Sequence, residues 1–229
     1  MHIMDGIIST PLLTSATVVS VGAVAFGLKR VTVDDIPKIA LLAAAFFVVS
    51  VLRVPIGPTA AHLMLSGILG LILGPAIFPA ILAGLLLQTL ILGFGGITVI
   101  GLNLLNMALP GYLVYLLFSP LLQTELQGDG SRPLLFNKIS QNNRLFLIGF
   151  AAGSFALCGS VIMVALSLSL SGQEFVPLAK FMVLANLPVV LIEGLVAGFI
   201  LRFLIQLKPE LFSSERNSSF ARPAVTAEF

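Results

Sequence analysis

RLFLIGFAAGSFALCGSVIMVALSLSL, residues 144–170, carries a single charge, at its first residue, and shows no strict alternation of apolar and polar positions. A helix needs ~17–25 apolar residues to cross a bilayer. A strand of a membrane barrel would alternate with a period of two instead. The stretch therefore reads as a spanning helix. Apolar segments also occupy residues 9–28, 37–53, 61–73, 76–93, 97–118 and 177–205. Together they predict an all-α integral membrane protein, a bundle of about seven transmembrane helices. The third segment is short for a crossing. It follows Gly57-Pro58-Thr59, where Thr59 is a candidate helix N-cap, and it stops at Gly74-Pro75. Short membrane segments line a site or pack inside protein.

Composition agrees with that class. Of the 229 residues, 58% are apolar and only 10% are charged, against roughly 25% charged in soluble domains. Mean hydropathy is +1.09. The net charge of +2 and the scattered basic residues give no footprint for nucleic acid. The single Cys158 forms no intrachain disulfide. There is no Trp, so an interfacial belt falls to Tyr112, Tyr115 and the phenylalanines.

Lysine and arginine set the orientation. With seven spans and the N-terminus outside, the inner side collects Lys29, Arg30, Lys38, Arg132, Lys138, Arg144, Arg202, Lys208, Arg216 and Arg222. Only Arg53 and Lys180 of the twelve stay outside, the asymmetry of the positive-inside rule. The polar connection 119–143 is then cytoplasmic. Residues 1–205 form the membrane domain, and 206–229 read as a disordered cytoplasmic tail. Ala23-Val24-Ala25 resembles a leader cleavage site, but no Lys or Arg precedes the apolar run, which argues against a removed leader.

The outward end opens Met1-His2-Ile3-Met4-Asp5. A terminal amine and a His2 amide nitrogen close a five-membered chelate ring on a metal ion. The same amide and His2 Nδ1 close a six-membered one. The only other histidine, His62, falls in the first turn of the short third helix in this reading, also toward the outside. It supplies a fourth nitrogen, and a helix N-terminus favours the neutral imidazole able to ligate. Four nitrogens in a square suit Ni²⁺ or Cu²⁺, and Co²⁺ accepts the same donors. Against this stands the plain alternative of a solvated N-terminal histidine and a hydrogen-bonded His62. Met4 and Met64 raise a Cu(I) alternative through thioether sulfur.

Other polar groups lie within apolar segments: Gln88, Asn103, Asn106, Asn186 and Glu193. Such groups face the bundle interior. Glu193, the one acid deep in a span, is expected to pair with Arg53 or another partner, or to orient a ligand from behind. Gly93-Phe94-Gly95-Gly96 reads as a tight turn permitting close backbone approach, for instance over the His2 tip. Small residues spaced by four recur at Gly70/Gly74, Ala76/Ala80/Gly84, Gly149/Gly153 and Gly194/Gly198, suited to internal helix packing or to docking a partner helix. No phosphate loop, no His-Glu-x-x-His and no Ser-His-Asp set is present, so an enzyme is not expected.

These residues resemble the CbiM/NikM family, the substrate-capture component of energy-coupling-factor cobalt and nickel transporters. The opening Met1-His2-Ile3-Met4-Asp5-Gly6 is similar to the family's N-terminal motif. So are Ile56-Gly57-Pro58-Thr59 with His62, Gly67 to Gly74, Gln88 with Gly93-Phe94-Gly95-Gly96, Asn103, Asn106 to Pro110, and Glu193-Gly194. The resemblance spans roughly residues 1–205. It implies a helical bundle whose extracellular N-terminus dives back into the protein. It implies metal held by Met1, His2 and His62, with Gln88, Asn103, Asn106 and Glu193 behind them. The ligand is transported Co²⁺ or Ni²⁺, with no cofactor. It implies a coupling (T) transmembrane subunit, cytoplasmic ATPase subunits and a small accessory membrane subunit as partners, in a bacterial or archaeal cell membrane. Two other readings remain at this point: an ion-coupled transporter or channel using Glu193 and Asn186 without ATPases, and a purely structural membrane subunit.

Overall fold

The computed structural model describes residues 3, 5–56, 59–127 and 140–212, with backbone alone for 53–56 and 59–61. Seven helices and one hairpin follow in order: α1 (Thr10–Leu28), α2 (Ile36–Val51), β1 (Arg53–Ile56), β2 (Thr59–His62), α3 (Ser66–Leu73), α4 (Ile77–Leu92), α5 (Ile100–Gln127), α6 (Gln141–Ser171) and α7 (Val176–Leu207). Prolines open α1, α2 and α7, where a missing amide hydrogen costs nothing. Among the described residues, five apolar stretches are long enough to cross a membrane: Thr10–Leu28, Ser66–Leu92, Ile100–Gln127, Gln141–Ser171 and Gln173–Leu207. The protein is thus a multi-pass helical membrane bundle.

The stretch Ser66–Leu92 is not one straight rod. Gly70 lies against the Gly111 carbonyl, Gly74 against the Tyr115 ring, and the Ile77 side chain returns to Gly111. Gly74 has φ +51°, a left-handed turn that glycine adopts without strain. At this turn the chain reverses, and α4 leads back toward Gly93–Gly96, which meets the N-terminal segment at Asp5. Among the described residues the seven α-helices are thus of unequal length, and five apolar stretches rather than seven are long enough to cross. All eight residues of α3 are buried, which makes it the inner helix around which the bundle packs. α2, at 16 residues, spans only ~24 Å.

Two boundaries differ from the sequence reading. Thr59 does not cap a helix. It lies in β2, paired with Ile56, and His62 pairs with Arg53. The helix begins only at Ser66, because the backbone amides of Met64 and Leu65 are bonded elsewhere and Leu65 is left-handed (φ 51°). The expected 119–143 connection also shrinks, to residues 128–140. α5 continues through Pro110 and Pro120 to Gln127, and Glu125 in its last turn accepts a 2.8 Å bond from Arg144 in the first turn of α6. A buried ion pair there holds the two helix ends together.

The small-residue stripes pack inside the chain. A Cβ on Gly149 would meet the Ala197 carbonyl, one on Gly153 the Ala197 methyl and the Glu193 carbonyl, and one on Gly198 the Phe146 ring. α6 and α7 therefore lie antiparallel in near backbone contact, the close approach that small residues allow in lipid. Beyond α7, Pro209–Phe212 forms a short turn whose Phe212 is buried and whose carbonyl accepts a bond from Gln123 Nε2 at 2.7 Å.

Candidate metal centre

The N-terminal segment is anchored within the bundle. Ile3 is 3% exposed. Its amide donates to Asn103 Oδ1 at 3.1 Å, and Asn103 Nδ2 donates to its carbonyl at 3.1 Å. One carboxamide thus satisfies both sides of a single residue's backbone, as a neighbouring strand would. Two residues on, the Thr98 hydroxyl donates to Asp5 Oδ1. A Cβ on Gly96 would collide with the Asp5 carboxylate, so the close backbone approach expected of this glycine run occurs here. Gly93 and Gly95 hold φ of +66° and +80°, and the Gly93 amide closes α4 on the Thr89 carbonyl.

His62 ends β2 and is 2% exposed. It is not on a helix N-terminus, so the dipole argument for its neutrality does not apply. Another device takes its place. Nδ1 lies 3.0 Å from the Leu63 carbonyl oxygen. A carbonyl only accepts, so Nδ1 carries the hydrogen, and in the neutral ring Nε2 then keeps the lone pair. That is the tautomer of a metal-ligating histidine, whose non-ligating nitrogen donates to an oxygen behind it.

Immediately downstream, Glu193 of α7 reaches across the fold. Its side chain is fully buried. Oε2 accepts the Met64 amide at 2.9 Å and Oε1 the Leu65 amide at 2.6 Å. Among the described residues these two backbone amides are its partners, and the Arg53 side chain lies outside those residues. Leu65 is the one non-glycine residue with positive φ among the described residues, a conformation costing about 1–2 kcal/mol for a residue with a Cβ. The paired bonds to Glu193 offset that cost.

Gln88 donates to Ser50 Oγ at 2.6 Å and ties α4 to α2. Asn106, one turn beyond Asn103 on α5, is buried, and its carboxamide makes no hydrogen bond among the described residues. Asn186 donates to the Met182 carbonyl at 2.8 Å. Met64 is buried in the core. Met1, His2 and Met4 lie outside the described residues. Among the described residues no three His, Cys, Asp or Glu side chains converge. Thr98 and Leu65 were not singled out from sequence. A hydroxyl in a loop has no signature, and nothing in a leucine announces positive φ.

Comparisons with known proteins bear on the family and the fold. A family model described as the cobalt uptake substrate-specific transmembrane region matches residues 2–211. A Haemophilus influenzae protein, provisionally named a metal transport protein, is 33% identical over 96% of this chain and 100% of its own. A Rhodobacter capsulatus fused nickel transport protein is 41% identical over 50% of this chain and 35% of its own. A Methanocorpusculum labreanum protein, provisionally named a fused cobalt transport protein, is 27% identical over 93% of this chain and 36% of its own. A crystal structure of a transition metal transporter superposes with a TM-score of 0.73 at 21% identity, covering 96% of this chain and 99% of the other, a likeness of fold.

Proposed function

The chain belongs to the CbiM family and is a cobalt/nickel transport component, and from that premise we propose that it captures Co²⁺ or Ni²⁺ for an ATP-driven importer of the energy-coupling-factor type. The observation that carries this reading is the anchoring of Ile3 by Asn103. Residues 1 and 2 precede that anchor directly, and each residue extends reach by at most ~3.8 Å. The Met1 amine, the His2 amide and imidazole, and His62 Nε2 then form the ligand set. Four nitrogens replace water around the ion, and Gln88, Asn103, Asn106 and Glu193 support them from behind. All these donors bind in deprotonated form, so affinity falls as pH falls.

The chain itself is not an enzyme in this reading. ATP is hydrolysed by cytoplasmic partner subunits, coupled through a transmembrane T subunit, with a small accessory membrane subunit completing the assembly. The fused relatives, each much longer than this chain, support partnership with further transporter components. The basic residues at the far end of the bundle support an outward N-terminus.

The test is calorimetric Ni²⁺ and Co²⁺ binding to the purified chain and to a variant with one glycine inserted before Met1. The insertion keeps every side chain and moves the amine away from His2. One-to-one binding lost in the variant is the expected result, and the ion the native chain prefers names the substrate. Equal binding by both proteins would overturn the amine-chelate site.

A further inference from the structure

The four residues from His62 to Leu65 contain a connection that neither hairpin nor helix requires. The Leu63 carbonyl, which receives His62 Nδ1–H at 3.0 Å, and the Met64 amide, which Glu193 Oε2 receives at 2.9 Å, are the two ends of one peptide group. That group is planar and turns as a unit. Whatever fixes its N–H fixes the direction of its C=O, and with it the imidazole.

We propose that Glu193 is a positioning residue for His62, acting through the Leu63–Met64 peptide: the α7 carboxylate orients and polarises that peptide, and the peptide carbonyl holds the imidazole with Nε2 aimed as a ligand. This rests on the reading of His62 as a metal ligand and deepens it. In a familiar arrangement a carboxylate accepts directly from the non-ligating nitrogen of a metal-bound histidine, fixing its tautomer and raising its basicity. Here a peptide stands between them. Hydrogen bonds in series polarise one another, so a charge on the N–H side strengthens the acceptor on the C=O side. The second oxygen, on the Leu65 amide at 2.6 Å, keeps the next residue in its left-handed turn and so fixes the angle at which the peptide is presented. Glu193 meets the hairpin exit across 129 residues of sequence, from a helix seated against α6 by Gly194 and Gly198. The carboxylate is thus carried by a rigid two-helix unit, and the imidazole direction is referred to that unit.

A purely structural role and a positioning role separate by experiment. Ni²⁺ affinity, thermal stability and the visible absorption of the bound ion are measured for the native chain, Glu193→Gln, Leu65→Gly, the double variant and His62→Ala. Glutamine accepts at one oxygen only and presents N–H to the other amide. The expected result is a 10–100-fold weaker affinity in Glu193→Gln, the range for partners behind a ligating histidine, with a displaced ligand-field band. Glycine at 65 adopts positive φ freely, so the double variant recovers thermal stability while its affinity and spectrum stay altered. Unchanged affinity in a folded Glu193→Gln, or full recovery of affinity in the double variant, overturns the relay. His62→Ala separates this from the capture reading. If it binds as tightly as the native chain, the ligand assignment itself fails. If it loses binding while Glu193→Gln keeps it, the relay alone fails.

Discussion

Asn103 applies both halves of its carboxamide to one residue, Ile3, and that makes it the most economical point at which to disturb the site. Each bond contributes about 1 kcal/mol net, and in the capture reading together they hold the segment that bears the N-terminal donors. Asn103→Ala should therefore weaken Ni²⁺ or Co²⁺ binding by about 2 kcal/mol, roughly 30-fold, with little change in melting temperature. Calorimetry beside a thermal scan checks both halves of the statement. At this scale the sequence singled out candidate residues and said little about how they are held. Two histidines in an apolar chain stand out by rarity. The backbone donors to Glu193 do not, because backbone amides have no letter in a sequence.

Apolar runs marked the helices, since length and hydropathy are all a bilayer demands. Their ends were legible only where local chemistry decides them. Prolines stand in the first turns of α1, α2 and α7, the position where sequence chemistry marks a helix start. Thr59 misread as a cap because a hairpin, closed by pairing with Ile56, competes for the same residues. The end of α5 misread because a tertiary ion pair, Glu125 with Arg144, carries the helix past Pro120. The α1–α2 connection offers a pH test at this scale. Asp35 accepts bonds from the Thr32 amide and hydroxyl and pairs with Lys38 at 3.3 Å. Burial alone would raise its pKa, but the Thr32 bonds and Lys38 together hold it below the ordinary 3.8. A carboxyl more acidic folded than unfolded adds stability above the unfolded value and loses it as pH falls through the folded one. Asp35→Asn should lower the melting temperature at pH 7, by the equivalent of about 1 kcal/mol for a lost cap, and the gap from the native protein should close as pH drops below 3.8.

The whole molecule was legible as a membrane bundle, and the family resemblance extended that to its relatives. The reversal at Gly74, which turns one apolar stretch into a buried helix and a returning one, was hinted at by Gly74-Pro75, and the shortness of the third segment already pointed inside the protein, where α3 lies. For the intact protein the capture reading makes a plain forecast. Reconstituted alone in sealed vesicles, the chain binds Ni²⁺ or Co²⁺ but accumulates none. Co-reconstituted with its coupling and ATPase subunits, it accumulates the ion only with ATP. Accumulation by the chain alone, measured with a radioactive tracer, would instead support the ion-coupled reading.

The unequal helices have a consequence for the lipid around them. α6 and α7, with 31 and 32 residues, are ~46–48 Å long, and α2 with 16 residues is ~24 Å. A hydrocarbon layer of ~30 Å is overtopped on one flank and underfilled on the other. Lipids beside α2 must thin or the protein must lean, each at a cost of fractions of a kcal/mol per Å. Chain length in the surrounding lipids therefore becomes a setting on how upright α6 and α7 stand.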